Sequence, residues 1–308
     1  MLNANDHDVI IFDGACGTNL QAMEIPASAW EDKEGCNEFL NVSAPDVIVQ
    51  LHASFIDAGA MVLETNTFGA SRTVLAEYGL ENEVARINRA AVENARKAIG
   101  DRANRYLCGS VGPGTKLPSL GHIGYDDLFT AYTEQFRALA EAGVDAFIIE
   151  TCQDMMQVKI ALTSCFETQE ALGVDIPVMV SVTIERTGTM LVGSDISAAA
   201  VTVEPFPIMS FGLNCATGPS DMISRIQYLS HNWPGRISCI PNQGMPEVVD
   251  GETRYPMAPR EYADHMKHFV EAFGVSVVGG CCGTTPEHIR VLVETLASVT
   301  PGEREIVT

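Results

Sequence analysis

Basic side chains are scarce in this chain: 19 Lys and Arg stand against 40 Asp and Glu, a net charge of −21. A phosphate backbone or an anionic membrane is bound by a basic face, so neither nucleic acid nor a membrane surface is expected as a partner. Long apolar runs are lacking too, and none approaches the ~20 residues of a membrane span. The N-terminus, Met1 to Asp8, is polar and acidic, without the charged-then-apolar order of a secretory signal. A cytoplasmic location is expected. Linkers, low-complexity segments and strong internal repeats are missing, so the 308 residues are expected to form a single domain, 1–299, with a loose polar tail at 300–308. No histidine pattern suggests a metal site. His52, His265, His268 and His288 are scattered, and structural or helix-surface roles suffice for them. Cysteine is not scarce. Nine cysteines without a secretory signal indicate free thiols rather than a disulfide framework.

Eight short apolar runs recur along the chain: Val9–Phe12, Ala60–Leu63, Tyr106–Gly109, Ala146–Ile149, Pro177–Val182, Ile208–Leu213, Ile237–Ile240 and Val275–Val278. Each is short enough to be a buried strand. Helical patterns separate them. Asn82–Ile99 carries Val84, Ile87, Ala91 and Ala95 at helical spacing. Tyr125–Ala142 and Asp154–Leu172 resemble it, Ile196–Val203 supplies a further helix, and Pro259–Phe273 opens with proline in a favoured first-turn position. Strands alternating with helices predict a parallel sheet, and eight such units predict a single-domain α/β fold, the (β/α)8 or TIM barrel. A doubly wound open sheet is the alternative. The strand ends favour the barrel, because most of them run into polar or glycine residues where barrel active sites are built. Glu64 and Glu150 each sit directly against an apolar run.

The most pointed strand end is Gly279-Gly280-Cys281-Cys282-Gly283. Thiolate sulfur is a soft ligand suited to zinc, and flanking glycines let the backbone aim neighbouring side chains at one point. Ordinary buried thiols or a vicinal disulfide are the alternatives for the pair. A metal would need a third ligand from another strand end. Cys108 and Cys239 lie inside strand runs and Cys165 in a helical stretch, where cysteine acts as a small hydrophobe. Cys16, Cys152 and Cys215 lie just past strand ends. Cys215 is the best placed, closing Gly212-Leu213-Asn214-Cys215 before another glycine-containing turn. Three thiolates would leave one position open for a substrate.

These residues also carry a resemblance. Phe12-Asp13-Gly14-Ala15-Cys16-Gly17-Thr18 is similar to the opening motif of the homocysteine S-methyltransferase family. So are Glu64-Thr65-Asn66-Thr67-Phe68, Gly109–Pro113, Glu150-Thr151, Gly212–Cys215 and the stretch from Gly279 to Ile289. The likeness runs in order from about Val9 to Leu296. Within the family, Lys33–Asn41 and Pro241–Pro246 most resemble the homocysteine-binding N-terminal module of cobalamin-dependent methionine synthase. Betaine-using members carry a tyrosine shortly after the second-strand motif, where this chain has Gly69.

The resemblance implies a (β/α)8 barrel that binds Zn2+ through Cys215, Cys281 and Cys282. It implies an amino-acid site at Asp13, Thr65 and Glu150. Asn242, beside the metal strand, is expected to order the zinc loop or the substrate, with turn capping as the alternative. The implied reaction is methyl transfer to the thiol of homocysteine, giving methionine, with no acid or base needed beyond loss of the thiol proton. The donor implied by the nearest branch is methylcobalamin on a partner protein or module, supplied through cobalamin-binding and methyltetrahydrofolate-binding partners. The alternatives are a free-standing enzyme using S-methylmethionine or betaine, and a non-catalytic zinc module that presents homocysteine within an assembly.

Overall fold

The structure, a computed structural model, describes residues 1–245, 247–249 and 252–307. Pro246 of the Pro241–Pro246 segment and Thr308 of the polar tail lie outside the described residues. Seven strands precede a small hairpin: β1 (Ile10–Ile11), β2 (Val62–Glu64), β3 (Tyr106–Val111), β4 (Ala146–Cys152), β5 (Val178–Val182), β6 (Ser210–Asn214) and β7 (Arg236–Ile240). The hairpin pairs β8 (Glu247–Val249) with β9 (Glu252–Arg254), and β10 (Val275–Val278) follows. The parallel sheet runs in the order β1-β10-β7-β6-β5-β4-β3-β2. A Phe12–Val62 bridge, with backbone bonds from Met61 to Ile11 and from Asp13 to Val62, joins β1 to β2 and closes the ring. This is the expected (β/α)8 barrel, and the open-sheet alternative falls.

Helices fill the connections. They are α1 (Cys16–Ala22), α2 (Leu40–Ser43), α3 (Pro45–Asp57), α4 (Arg72–Leu75), α5 (Val84–Ile99) and α6 (Tyr125–Ala142), then α7 (Met155–Leu172), α8 (Ile196–Val203), α9 (Pro219–Asn232), α10 (Pro259–Phe273) and α11 (Pro286–Leu296). The apolar stripe of α5 is buried as its spacing predicts, with Val84, Ile87, Ala91 and Ala95 inaccessible. The β8–β9 hairpin in the β7–α10 connection was not expected. Among the described residues no helix is long and apolar enough to cross a membrane.

Strand alternation sorts the core into two shells. Along β4, Phe147 and Ile149 join the large cluster between sheet and helices, while Ala146 and Ile148 join the cluster inside the barrel. Ile10, Phe12, Val62, Cys108, Met179 and Val277 fill the lumen with them, and Leu2 belongs to the same cluster. The N-terminal half of the lumen is thus packed with hydrocarbon, about 1.5–3 kcal/mol for each fully buried large side chain. One step further along β4 the inward position is Glu150. The lumen therefore becomes strongly polar at the C-terminal ends of the strands, where Asp13, Ser110, Ser181 and Asn214 are also buried.

Two details bear on stability. On β6, a Cβ built at Gly212 would lie 1.8 Å from the Ser238 carbonyl oxygen on β7. Gly212→Ala must therefore push apart the two strands that lead to the candidate site. It is expected to cost about 3 kcal/mol, the upper end for overpacking. Urea unfolding checks this, and an unchanged midpoint would show that the strands separate freely. The tail is also more tightly held than its composition suggests. Gly302 donates to the Val270 carbonyl, Arg304 to the carbonyls of Trp233 and Gly235, and Val307 to that of His231.

Candidate metal centre and its cavity

The connection after β6 and the connection after β10 meet at the mouth of the barrel, with the β7 loop between them. The Cys281 N–H donates to the Pro241 carbonyl, the Gln243 N–H to the Cys282 carbonyl, and the Cys215 N–H to the Ile240 carbonyl. Thr284 closes the turn, its hydroxyl donating to the Cys281 carbonyl at 2.6 Å. The glycine frame works partly by conformation and partly by closeness. Gly283 has φ +82°, and the Tyr255 ring lies where its side chain would be. Across the loop, Cys215 and Ala216 hold φ values of 60° and 56°, an unfavourable region for residues with a Cβ. Strain of this kind collects at functional sites.

The result is a cluster of three thiols. The Sγ atoms of Cys215, Cys281 and Cys282 all lie within 4.8 Å of one another, with 3.9 Å between Cys215 and Cys282. Tetrahedral zinc with bonds near 2.3 Å would space its sulfurs about 3.8 Å apart, so the cluster fits such an ion. Without a metal the three thiols share protons unequally. Hydrogen bonds from the Cys215 and Cys281 thiols pull Cys282 down to about 3, and the Tyr255 hydroxyl adds another. Its bonds to the other two sulfurs, together with burial, push Cys281 well up. The other six cysteines are also unpaired, and Cys36, Cys108, Cys152, Cys165 and Cys239 are buried. The vicinal-disulfide alternative is not seen.

The cluster opens onto a cavity of about 330 Å3. Its walls include Asp13, Glu38, Glu64 and Glu150 but no Lys or Arg among the described residues. Glu150 is anchored through both oxygens. Oε1 accepts from the Ser110 hydroxyl at 2.5 Å and Oε2 from the Asn214 carboxamide at 3.2 Å. Asn214 is itself fixed, since its Oδ1 accepts from Ser181 Oγ and the Thr151 N–H. Burial, and then the charge of Cys282, raises the Glu150 carboxyl to about 7 against the hydrogen bond from Ser110. Asp13 and Glu64 are raised well above the usual carboxylate range, mainly by burial. Carboxyls crowded together without a cation form a receptor for one.

Three of the four expected substrate-site residues, Asp13, Thr65 and Glu150, line this cavity with the thiols. Asp13 Oδ2 accepts from the Glu64 N–H at 3.2 Å. Thr65 Oγ1 lies 2.6 Å from Thr67 Oγ1 and accepts from the Ser110 N–H. Glu150 stands as described. Asn242 is placed differently: it does not line the cavity. Its backbone N–H bonds the Thr217 carbonyl, its own carbonyl accepts from Gly244, and its buried Oδ1 has no partner. Ser110 and Asn214 were present in the strand-end motifs, but their bonds to Glu150 were not legible there. Glu38, His52 and Tyr255 were missed, since each lies outside the strand-end pattern.

The family profile described as homocysteine S-methyltransferase matches residues 10–296. The chain belongs to the homocysteine S-methyltransferase family. A methionine synthase of Mycobacterium tuberculosis is 40% identical over 99% of this chain, and one of Mycobacterium leprae is 41% identical over 97%. The chain spans only 26% of the length of either. Among solved structures, the metallated homocysteine methyltransferase MmuM from Escherichia coli matches with a TM-score of 0.74 and 22% identity, covering 94% of this chain and 96% of that one. Its oxidized form matches with a TM-score of 0.75.

The expected donor is not upheld. Methylcobalamin on a partner, with cobalamin-binding and methyltetrahydrofolate-binding proteins or modules, was implied by the nearest branch. Yet this one barrel is coextensive with almost the whole chain of a homocysteine methyltransferase, and it gathers its three thiols by itself. The expectation of cobalamin and of those partners is corrected accordingly.

Proposed function

We propose that this homocysteine S-methyltransferase family chain is a zinc-dependent enzyme that transfers a methyl group from a small cationic donor, such as S-methylmethionine, to homocysteine. The observation that carries the proposal is the three-thiol cluster opening onto a cavity walled by carboxyls. Identities of 40% and 41% support kinship of the barrel with a part of the methionine synthases. The free cysteines support the reducing cytoplasm as its compartment.

Cys215, Cys281 and Cys282 would hold the zinc. When bound there it supplies a positive centre that lowers the pKa of a substrate thiol. Glu150, held by Ser110 and Asn214, receives the homocysteine ammonium together with Asp13. Thr65 and nearby backbone N–H groups take the carboxylate. Asn242 orders the loop between the two cysteine turns. With the thiol proton released to solvent, the sulfur attacks the donor methyl in line. A new S–CH3 bond forms, the old C–S bond breaks, and its electron pair stays on the donor sulfur, which leaves as a neutral thioether. No side chain need act as acid or base. Orientation of the two reactants carries the rate.

A cationic donor suits a cavity of carboxyls without a basic residue. S-methylmethionine is favoured over betaine, because Gly69 stands where betaine-using relatives carry a tyrosine: its N–H donates to Glu38 Oε1 at 2.7 Å, and a Cβ there would sit 2.9 Å from that oxygen. Zinc-loaded protein with homocysteine is expected to form methionine with S-methylmethionine. Turnover with methylcobalamin alone would sink the donor assignment. Homocysteine binding without turnover on any donor would leave only a presenting module.

A further inference from the structure

His52 is on α3, outside the ring of strands, yet it lines the same cavity as the thiols. It is 2% exposed, and neither Nδ1 nor Nε2 has a hydrogen-bond partner. Buried polar atoms are nearly always paired, and leaving one unpaired costs about 1–3 kcal/mol. Burial alone drives the ring down to about 4. It is therefore neutral at physiological pH, with one nitrogen to donate and one to accept. Such a group is suited to a polar ligand that enters the cavity.

Around it the cavity wall is a lobe built by helices, whereas the anchors expected for homocysteine stand at strand ends. Leu51 and Phe55 flank it on α3, and Cys16, Gly17 and Gln21 face the cavity from α1. The Asn37 carboxamide lies beside Gly17, its Nδ2 3.4 Å from the position a Cβ would take. The lobe thus offers neutral hydrogen-bonding groups and apolar walls, with no basic residue. A bare anion would be repelled by the carboxyls nearby. A ligand carrying a carboxylate together with its own fixed cation would not.

We propose that this lobe binds the methyl donor, with His52 hydrogen-bonded to the donor's carboxylate while its onium centre faces the thiols. The proposal rests on the methyl-transfer function given above. It predicts that His52→Phe weakens S-methylmethionine binding about tenfold, with homocysteine binding and zinc content unchanged and partial recovery in His52→Asn. Trimethylsulfonium, which has the onium centre but no carboxylate, should bind both forms alike. Calorimetry measures each. Equal weakening of homocysteine and S-methylmethionine, or of S-methylmethionine and trimethylsulfonium, would overturn the assignment. If His52→Phe does not fold, imidazole NMR of the native protein decides. The His52 nitrogen shifts should move with S-methylmethionine and not with homocysteine, and a ring that answers to neither is bonded only to solvent. Absence of turnover with S-methylmethionine would sink the donor reading, whereas turnover with an unmoved His52 would sink this lobe alone.

Discussion

Cys282→Ala is expected to lose its metal and nearly all methyl transfer. Two thiols and one open side cannot hold zinc against solvent as three do, and Cys282 is the sulfur toward which both neighbours donate. Loss of a partner outside the ligand set already weakens a metal site about 10- to 100-fold, so loss of a ligand should exceed a hundredfold. Cys215→Ala should behave alike, since its Sγ completes the cluster from another strand. Cys239→Ala is the control. That thiol is buried against Met222, where it fills space, and its removal should leave about one zinc per chain. Metal content by plasma emission, with turnover on S-methylmethionine, reads all three. Full zinc in both Cys215→Ala and Cys282→Ala would refute the centre.

Glu150→Gln should weaken homocysteine about 10- to 100-fold while zinc stays bound. That range is the contribution of a charge-assisted hydrogen bond, about 1.5–3 kcal/mol. Loss of zinc instead would mean that Glu150 supports the metal and not the amino acid. The same substitution should alter the pH dependence of stability. In the metal-free fold the Glu150 carboxyl is raised from 4.5 to about 7. A raised carboxyl favours the folded state below its unfolded pKa, and that contribution is lost as pH rises through the folded value. Between pH 4.5 and about 7 the metal-free protein should therefore lose stability, with Glu150's share on the order of 3 kcal/mol. Glu150→Gln should flatten that part of the slope in urea titrations. An unchanged slope would show that the carboxyl is solvated.

Much of the barrel can be read along the chain. The helices at Tyr125–Ala142, Ile196–Val203 and Pro259–Phe273 fall where periodicity and the proline at the first turn predict them. The strands are displaced by a few residues, as at β3, which continues through Ser110 to Val111 because its polar end still pairs with β4. The hairpin at β8 and β9 is not legible, because its alternation covers too few residues to show. Of the site, the cysteines could be found because a thiol at a strand end has little packing use. His52 could not, since a histidine on an apolar helix face is ordinarily part of the core. Only the cavity shows that its ring is left without a partner.

The amino-acid order alone determined the local terms: alternation of strand and helix, glycines around the cysteine pair, acids set against apolar runs, and the resemblance those residues carry. Those are short-range properties, written in spacing and side-chain type. Closure of the ring decided the rest. It brings Cys215 to Cys282, fastens Glu150 between Ser110 and Asn214, and turns Glu38 and His52 toward the same cavity. These partners come from different strands, loops and helices, and their distances follow from barrel register and packing.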